Sequence, residues 1–379
     1  MQIAFTRNER ATVGVELELM VVDRQTGELA NVASKLLAEM GEQFDDGLHP
    51  KAKHELFECT VEIITGVCEN ADEARADLQA TLDELARVAD AYGYALISSG
   101  SHPFGRVTDQ IVSPSERYAQ LIEDMQWAAR RLLIFGTHVH VGVRDGERAI
   151  ATANELQRQL PLLLALSASS PYWESTDTGL ASARTKVFES LPTAGLPPQL
   201  DGWSDFEAFM RTLIDSGCIK TIREVWWDIR PHPEFGTVEL RMCDAVSNLD
   251  EAAALAAISQ ALVVQIGERL DAGEQLAKPR EWTVRENKWL AARYGMDARL
   301  IVDEEGTRLP ARDLIADLIT DLRPVADRYG SGTHLDHALS MADRPGYVRQ
   351  RDVLRTGGTP ADVVRRLADE LGNGQTRTS

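Results

Sequence analysis

Apolar and polar residues alternate with a period of two in several segments of the first two thirds of the chain. The segments are residues 12–22, 58–65, 134–143 and 237–242, with a shorter run at 94–98. Such alternation is typical of β-strands that bury one face and leave the other polar. We therefore predict a sheet built from these segments.

A second set of segments places apolar residues three or four positions apart. In residues 71–92 the spacing of Leu78, Leu82, Leu85 and Val88 predicts an amphipathic helix. Similar patterns predict helices over residues 115–133, 147–169, 249–270, 281–294, 310–328 and 360–371. The pattern is almost wholly helical from residue 249 onward.

Two features between the strands are less regular. Residues 170–202 are rich in Pro, Gly, Ser and Thr and show no period, which predicts a functional loop or lid that orders on substrate binding and contributes Arg184. Ser204 and Glu207 form a capping-box pattern that predicts the start of a helix, and Gly217 predicts its end.

These elements predict an α+β fold in a single catalytic domain over residues 1–379. We expect a sheet-rich part over residues 1–248 that carries the active site, and a mostly helical part over residues 249–371. Residues 372–379 are predicted to be a disordered tail.

Composition narrows the classes of partner. Lys and Arg number 40 and Asp and Glu number 59, so the net charge is 40 − 59 = −19, which argues against nucleic acid or an anionic membrane surface as a partner. No apolar signal region opens the chain, and no uninterrupted apolar run reaches the ~18 residues of a membrane span. Four cysteines without a CxxC pair fit a reducing cytoplasm.

The polar faces of four predicted strands carry groups that do chemistry. Residues i and i+2 of a strand point the same way, so each strand contributes a pair. The pairs are Glu16 with Glu18, Glu58 with Glu62, His138 with His140, and Glu239 with Arg241. Glu55 lies seven positions before Glu62, an odd number, so in one continuous strand it would point to the opposite face. It can join the polar residues only if the chain bulges or the strand starts after Glu55.

Clustered carboxylates repel one another unless cations neutralise them, so four such faces in one sheet predict a metal site. Oxygen ligands with one or two imidazoles suit Mg²⁺, or Mn²⁺, better than Zn²⁺. Each pair alone has an ordinary interpretation: a solvated strand face for Glu16 and Glu18, and a surface ion pair for Glu239 and Arg241. The coincidence of all four favours the metal site.

Several motifs on these segments closely resemble the glutamate–cysteine ligase type 2 family, nearest to the YbdK carboxylate–amine ligases. They run in order along nearly the whole chain, from about Thr12 to the helices after residue 330. The motifs are Thr12-Val-Gly-Val-Glu-Leu-Glu, Ser101-His-Pro-Phe, Ser115-Glu-Arg-Tyr, Phe135-Gly-Thr-His-Val-His-Val-Gly, Ser169-Ser-Pro-Tyr, Thr176-Asp-Thr-Gly, Trp227-Asp-Ile-Arg-Pro and Phe235-Gly-Thr-Val-Glu-Leu-Arg.

The resemblance implies a glutamine-synthetase-like catalytic fold, in which a curved, mostly antiparallel sheet has helices on one face and a metal and ATP site on the other. It implies two or three Mg²⁺ ions, with the ligands Glu16, Glu18, Glu55, Glu62, His138 and Glu239. It also implies that Arg241, Arg230 and Arg184 bind ATP or other anions, and that Arg241, Glu239 and Glu18 are catalytic.

The activity so implied is an ATP-dependent ligation of a carboxylate to an amine through an acyl phosphate. Glutamate is the expected acid and cysteine the expected amine, with ADP and phosphate as products. The chain has no GxxxxGK[ST] loop, so the metal-bearing sheet would take over the binding of phosphate. We expect small-molecule partners, and a homodimer is compatible with the sequence.

Two other classes of function remain open at this point. A zinc-dependent hydrolase would use His138 and His140 with a third ligand and a catalytic water. A binding protein without catalysis would keep the fold but turn over nothing. Dependence on Mg²⁺ and ATP separates the three.

Overall fold

The largest sheet of this computed structural model, which describes residues 2–372, has seven strands, and all of their pairings are antiparallel. Numbered in chain order, the strands of the structure are β1 Val13–Asp23, β2 Ala52–His54, β3 Thr60–Ile64, β4 Tyr94–Ile97, β5 Thr137–Gly142, β6 Tyr172–Trp173, β7 Thr176–Asp177, β8 Ala194–Gly195, β9 Trp226–Trp227, β10 Ile229–His232, β11 Thr237–Leu240, β12 Arg299–Ile301 and β13 Arg308–Pro310. The large sheet has the order β10-β11-β5-β1-β3-β2, and β4 pairs with the far end of β1.

Helices account for most of the remaining regular structure. In chain order they are α1 Ala33–Gly41, α2 Ala71–Ala91, α3 Glu116–Met125, α4 Trp127–Arg130, α5 Gly146–Leu156, α6 Leu160–Ser167, α7 Ala183–Phe188, α8 Trp203–Asp215, α9 Leu249–Asp271, α10 Glu281–Tyr294, α11 Ala311–Arg328, α12 Gly332–Asp343, α13 Gly346–Arg355 and α14 Pro360–Gly372. Short 3₁₀ turns lie at Val107–Asp109, Ile222–Glu224 and Gly295–Asp297.

One face of the sheet is apolar and forms the core. Val13, Val15, Leu17 and Leu19 of β1 are each at most 2% exposed, and α2 and α9 pack behind this strand. Helix α9 is long and apolar enough to cross a membrane by length and composition, but 83% of its apolar window is buried inside the protein. It is therefore the central core helix that covers the sheet.

The register of the sheet aligns the polar residues of neighbouring strands. Glu16 of β1 lies opposite His138 of β5, and His140 lies opposite Glu239 of β11. On the other side of β1, Glu18 lies opposite Glu62 of β3. Opposite residues on one face of a sheet have Cβ atoms about 5 Å apart, so the four predicted strands bring their polar groups into one patch.

The predicted pattern of helices is largely confirmed, and the later ones, α9, α10, α11 and α14, agree within one residue at either end. Two predicted helices are each divided in two. The helix over 115–133 breaks at Gln126, whose φ of +47° interrupts α3 and α4, and that over 147–169 breaks before α6, which has Pro161 in its first turn.

Other expectations were wrong. The capping box at Ser204 does not form, because α8 already begins at Trp203 and has no side-chain cap. Residues 170–202 are not an irregular loop, since they contain β6, β7, α7 and β8. Helices α1, α12 and α13 were not predicted. Residues 373–379 of the predicted disordered tail lie outside the described residues, and Gly372 ends α14.

Candidate active site

The polar face of the sheet forms the floor of a cleft with a volume of about 290 Å³. Strands β1, β3, β5, β10 and β11 supply the floor, and α3 and α7 supply parts of the walls. The residues that the sequence assigned as metal ligands, ATP-binding or catalytic residues all lie in its lining: Glu16, Glu18, Glu55, Glu62, His138, Arg184, Arg230, Glu239 and Arg241. Of the residues placed on the polar strand faces, Glu58 alone does not line it.

Glu16 occupies the centre of the cleft between two buried histidines. Its Oε2 lies 3.1 Å from Nδ1 of His138, and its Oε1 lies 3.4 Å from Nε2 of His140. Burial alone would raise the pKa of Glu16, but the hydrogen bond with His138 and the close imidazole of His140 hold that pKa well below its usual range. Glu16 is therefore an ionised carboxylate.

The imidazole of His138 is suited to be a metal ligand. Burial, together with the positive charge of Arg241, lowers the pKa of His138 to about 4, so the ring is neutral at physiological pH. A neutral imidazole is the form that coordinates metals. His140 differs, because Glu239 and Glu16 outweigh the effect of its burial and raise its pKa.

A second group of acids, Glu18, Glu55 and Glu62, lies beside Glu16. One carboxylate oxygen from each falls within 4.8 Å of the other two. Burial and the nearby charge of Glu55 raise the pKa of Glu18 to about 8. Burial and the charges of Glu16 and Glu55 raise the pKa of Glu62 well above its usual range. Burial also raises the pKa of Glu55, so the nearby arginines do not offset the burial and mutual repulsion of these acids.

Three overlapping groups of side chains have the spacing needed to hold a cation. They are Glu16 with Glu62 and His138, Glu16 with His140 and Glu239, and Glu18 with Glu55 and Glu62. Adjacent groups share Glu16 or Glu62, as the ligands of a multinuclear site do. Oxygen donors dominate, and the raised pKa values show carboxylates that a divalent cation would stabilise, so the residues fit Mg²⁺ or Mn²⁺.

Glu55 lies outside strand β3, which explains how it joins the site although its position in the sequence predicts the opposite face. Strand β3 begins only at Thr60, and residues 55–59 form a turn in which Phe57 bridges to Val112. The alternation of a strand therefore does not apply to Glu55. The same turn removes Glu58 from the polar face, where we had expected it, because its carboxylate accepts hydrogen bonds from the hydroxyl and backbone N–H of Ser34 at 2.6 and 3.0 Å.

Glu239 is held by two arginines at the other side of the cleft. Arg230 donates to its Oε2 from Nε at 2.8 Å and lies 2.7 Å away through Nη2, while Arg241 donates to its Oε1. Burial opposes ionisation, but the charges of Arg230 and Arg241 hold the pKa of Glu239 far below its usual range. A cation that used Glu239 would therefore compete with Arg241 for Oε1.

Arg184 and Arg241 form a basic wall with donors to spare. The guanidinium of Arg184 is 3% exposed and donates to the backbone carbonyls of Arg241 and Met242. Within residues 2–372, Nε of Arg184 and Nε of Arg241 are buried without a hydrogen-bond partner. Unsatisfied buried N–H groups are costly, so an anion in the cleft would stabilise both.

Several cleft residues were not named as site residues from the sequence. Arg117 and Tyr118 enter from α3, and Phe235 enters from the β10–β11 turn. The motif Ser115-Glu-Arg-Tyr marked the first two, although without a role. Phe235 is 53% exposed and stacks on His232 with ring centres 4.2 Å apart. The motif Phe235-Gly-Thr-Val-Glu-Leu-Arg marked this residue too, but the stacking depends on the hairpin and could not be predicted from the motif.

His102 of the Ser101-His-Pro-Phe motif has a structural role. Its Nδ1 accepts the backbone N–H of Gly105 at 2.7 Å, and its Nε2 lies 2.9 Å from the carbonyl of Gly27. Burial lowers the pKa of His102 to about 4. The ring therefore closes a turn and takes no part in the cleft.

Comparisons with known proteins agree on one family. Residues 12–370 match the model described as Glutamate-cysteine ligase family 2 (GCS2). A Frankia casuarinae protein provisionally named glutamate–cysteine ligase 2-1 is 51% identical over 378 residues, 99% of each chain. A Thermobifida fusca protein provisionally named glutamate–cysteine ligase 2 is 49% identical over 375 residues, which are 99% of this chain and 94% of that protein.

Solved structures share the fold at low sequence identity. The glutamate–cysteine ligase of Francisella tularensis, solved in complex with AMP, matches with a TM-score of 0.70 at 12% identity, covering 97% of this chain and 90% of that chain. A bifunctional glutathione synthetase from Pasteurella multocida matches with a TM-score of 0.67 at 12% identity, covering 95% and 52%. These likenesses confirm the predicted α+β fold.

Proposed function

The chain belongs to glutamate–cysteine ligase family 2, and from that premise we propose that it is an ATP- and Mg²⁺-dependent carboxylate–amine ligase. Its expected acid is glutamate, and its expected amine is cysteine or a related small molecule. The observation that carries this proposal is the cleft floor, where three overlapping carboxylate and imidazole groups face a wall of arginines. Once divalent cations are bound to its carboxylates, such a floor would neutralise a polyphosphate, while the wall would bind the anion that receives its terminal group.

The metal ligands in this proposal are Glu16, Glu18, Glu55, Glu62, His138 and Glu239, with His140 as a further candidate. When bound, Mg²⁺ would neutralise the phosphate oxygens of ATP and the charge that develops on the transferring group. The ionised state of Glu16 and the neutral state of His138 support these roles, because both are in the form that coordinates a cation.

The arginines supply the remaining positive charge. Arg241 and Arg184 each keep a buried Nε–H free for an oxygen anion among the described residues, and both line the cleft. Glu239 fixes Arg241 and Arg230 through its two oxygens, so its own catalytic role is to orient the guanidinium groups. Arg117 lies near Glu55 and offers a further positive charge to the substrate carboxylate.

The chemistry divides into two balanced steps. A carboxylate oxygen of the acid attacks the γ-phosphorus of ATP, and the bond to the β–γ bridging oxygen breaks, which releases ADP and leaves an acyl phosphate. The amine nitrogen then attacks the acyl carbon, phosphate leaves, and the nitrogen loses one proton. Both steps depend on positioning and charge stabilisation rather than on a covalent enzyme intermediate, in keeping with the residues of the cleft.

The base of ATP has a suitable contact at the cleft. Phe235 is partly exposed, stacks on His232, and lies 5.7 Å from His140 between ring centres. An aromatic face beside the phosphate-binding floor would allow stacking worth about 1–3 kcal/mol. We therefore assign the adenine to the Phe235 side of the cleft.

A zinc hydrolase that uses His138 and His140 is not supported. Among residues 2–372, none of the three candidate groups contains both histidines, and carboxylates outnumber the imidazole in the group that contains His138 and in the group that contains His140. The relatives named above are ligases, not hydrolases. A cytoplasmic location, a single catalytic domain and a homodimer stay predictions.

The test of the proposal is a paired screen. Purified protein is incubated with Mg²⁺-ATP, one amino acid and one amine, and ADP release is followed with and without each component. Release that requires an acid, an amine and Mg²⁺ together is expected. The matched variants are Glu62→Gln, inside the cleft, and Glu58→Gln, four residues earlier but bonded to Ser34 outside it. Equal activity of the two variants would contradict the assignment of the cleft.

A further inference from the structure

Lys288 is a buried lysine in the helical second half of the chain, away from the cleft. It lies on α10 and is 2% exposed. Its Nζ lies 2.5 Å from Oδ2 of Asp228 and 2.6 Å from Oε1 of Glu189. Burial would lower the pKa of Lys288, but the charges of Asp228 and Glu189 raise it, so the ammonium stays charged.

The two acids that share this ammonium belong to the segments that carry the basic wall. Glu189 directly follows α7, the helix that contains Arg184. Asp228 lies between β9 and β10, and its backbone carbonyl accepts the backbone N–H of Arg241 at 2.8 Å. Lys288 therefore joins the Arg184 segment to the Arg241 segment.

The ammonium also sets the distance between the two segments. Both carboxylate oxygens bind one nitrogen, so they lie at most about 5 Å apart. Without that nitrogen, two largely buried like charges would face each other and push α7 away from β10. Glu189 also binds Lys186, but Lys186 lies on α7 itself and cannot hold the helix to the sheet.

The other end of α7 is fixed independently. Ser182, which caps α7, donates from Oγ to Oδ1 of Asp244 at 2.8 Å, and its backbone N–H donates to the carbonyl of Ala292 on α10 at 2.9 Å. The guanidinium of Arg184 in turn contacts the carbonyl of Arg241 at 3.2 Å. The chain beyond α7 is held again where β8 pairs with β9, and the backbone N–H of Asp228 donates to the carbonyl of Gly195 at 2.7 Å. Lys288 thus links the last turn of α7 to the start of β10, between Arg184 and that pairing.

We propose that Lys288 is a positioning residue of the active site, whose ammonium holds α7 against β10 and thereby sets the place of the Arg184 guanidinium relative to Arg241. The proposal rests on the function proposed above, because it assumes that both guanidinium groups act on the transferring phosphoryl group. It gives the helical second half of the chain a part in catalysis, although the lining of the cleft comes from residues up to 241. Displacements of about 1 Å in such groups can cost about 100-fold in rate.

The first experiment compares Lys288→Met with Arg349→Met. Arg349 forms a buried ion pair with Glu251 in the same half of the chain, at 12% and 7% exposure, and a second one with Glu370. Within residues 2–372, none of the side chains that it pairs with lines the cleft. Both variants are expected to lose thermal stability. Only Lys288→Met should lower kcat, by about 10- to 100-fold, with KM for ATP within about threefold of the wild type. An equal effect of the two variants on kcat would overturn the proposal.

A double-mutant cycle tests whether Lys288 acts through Arg184. In an Arg184→Gln background, Lys288→Met should have almost no further effect on kcat, because the group that it positions is gone. If the loss in kcat of the double variant equals the product of the losses of the two single variants, Lys288 has a merely structural role.

A second double variant combines Lys288→Met with Asp228→Asn, which removes the buried acid that Lys288→Met leaves unpaired and is expected to keep the protein folded. This double variant should retain at least a tenfold loss in kcat, and full recovery would mean that Lys288 only neutralises Asp228.

A measurement without turnover separates this proposal from the proposed function. Hydrogen exchange of the α7 amides should be faster in Lys288→Met than in the wild type and unchanged in Arg349→Met. If the wild type shows no ATP-dependent ligation with any pair of substrates, the proposed function fails while this result still tests whether Lys288 holds α7. If Lys288→Met leaves hydrogen exchange in α7 unchanged, Lys288 does not hold α7 against β10, whether or not the enzyme is active.

Discussion

Replacement of Glu18 by Gln should stabilise the metal-free protein while removing a proposed metal ligand. Burial and the charge of Glu55 raise the pKa of Glu18 from 4.5 to about 8, so the folded protein resists ionisation of this group. One pH unit of such a difference corresponds to about 1.4 kcal/mol. At pH 7, 2.5 units above the ordinary value, the carboxyl group costs roughly 3 kcal/mol that a neutral amide does not.

The sign of the pH dependence follows from the same values. Between pH 4.5 and 8 the folded state keeps the proton on Glu18 and the unfolded state releases it, so the free energy of unfolding falls as pH rises through this window. Gln keeps an oxygen that can accept the N–H of Gly136, which Glu18 binds at 2.5 Å. The advantage of Glu18→Gln should therefore be small at pH 5 and roughly 3 kcal/mol at pH 7.

Urea unfolding in the presence of EDTA measures this difference at the two pH values. Glu58→Gln is the control, since Glu58 is bonded to Ser34 outside the cleft and should show no gain between pH 5 and pH 7. A variant Glu18→Gln that is less stable than the wild type at pH 7, or a gain that is equal at both pH values, would refute the reasoning. Stability gained by removing a functional charge is a common trade-off at active sites.

Three further predictions concern turnover. Glu62→Gln and Glu239→Gln should each lower kcat by more than about 100-fold at saturating Mg²⁺ with the fold intact by circular dichroism, and near-normal rates in both would contradict the ligand assignment. Arg241→Lys keeps the charge but loses the planar fork, so steady-state kinetics should show kcat reduced by about 100- to 1,000-fold and KM for ATP little changed; a fully active variant would exclude the proposed role. Phe235→Ala should raise KM for ATP by about 5- to 150-fold and leave KM for the acid unchanged, whereas the reverse pattern would place the acid or amine on that ring.

The alternation of strands predicted most of the site because parity within a strand is a local property. Glu16, Glu18, His138 and Glu239 each lie on the polar side of their own strand, and the register of the sheet brings these polar sides together. The alternation says nothing about residues outside a strand. Glu58 lies before the first residue of β3, so its parity relative to Glu62 had no meaning.

Other parts of the site depend on tertiary structure and could not be predicted. Phe235 reaches the cleft because a tight turn at Gly236, with φ of +67°, orients the hairpin. The break at Gln126 contains neither Gly nor Pro, so nothing local marks it. Arg184 was expected on a loop that orders on substrate binding. In the structure its guanidinium is buried and donates to the carbonyls of Arg241 and Met242, so it already lies at the cleft, and ordering on substrate binding stays a prediction.

The products made from ATP test the proposed ligase most directly. With Mg²⁺-ATP, glutamate and cysteine, one ADP and one phosphate should form for each amide bond. With hydroxylamine in place of cysteine, a hydroxamate of glutamate should accumulate, since the acyl phosphate is trapped. AMP and pyrophosphate as the main products, or hydroxamate formed without ADP, would contradict phosphoryl transfer on the Glu16, Glu62 and Arg241 side of the sheet.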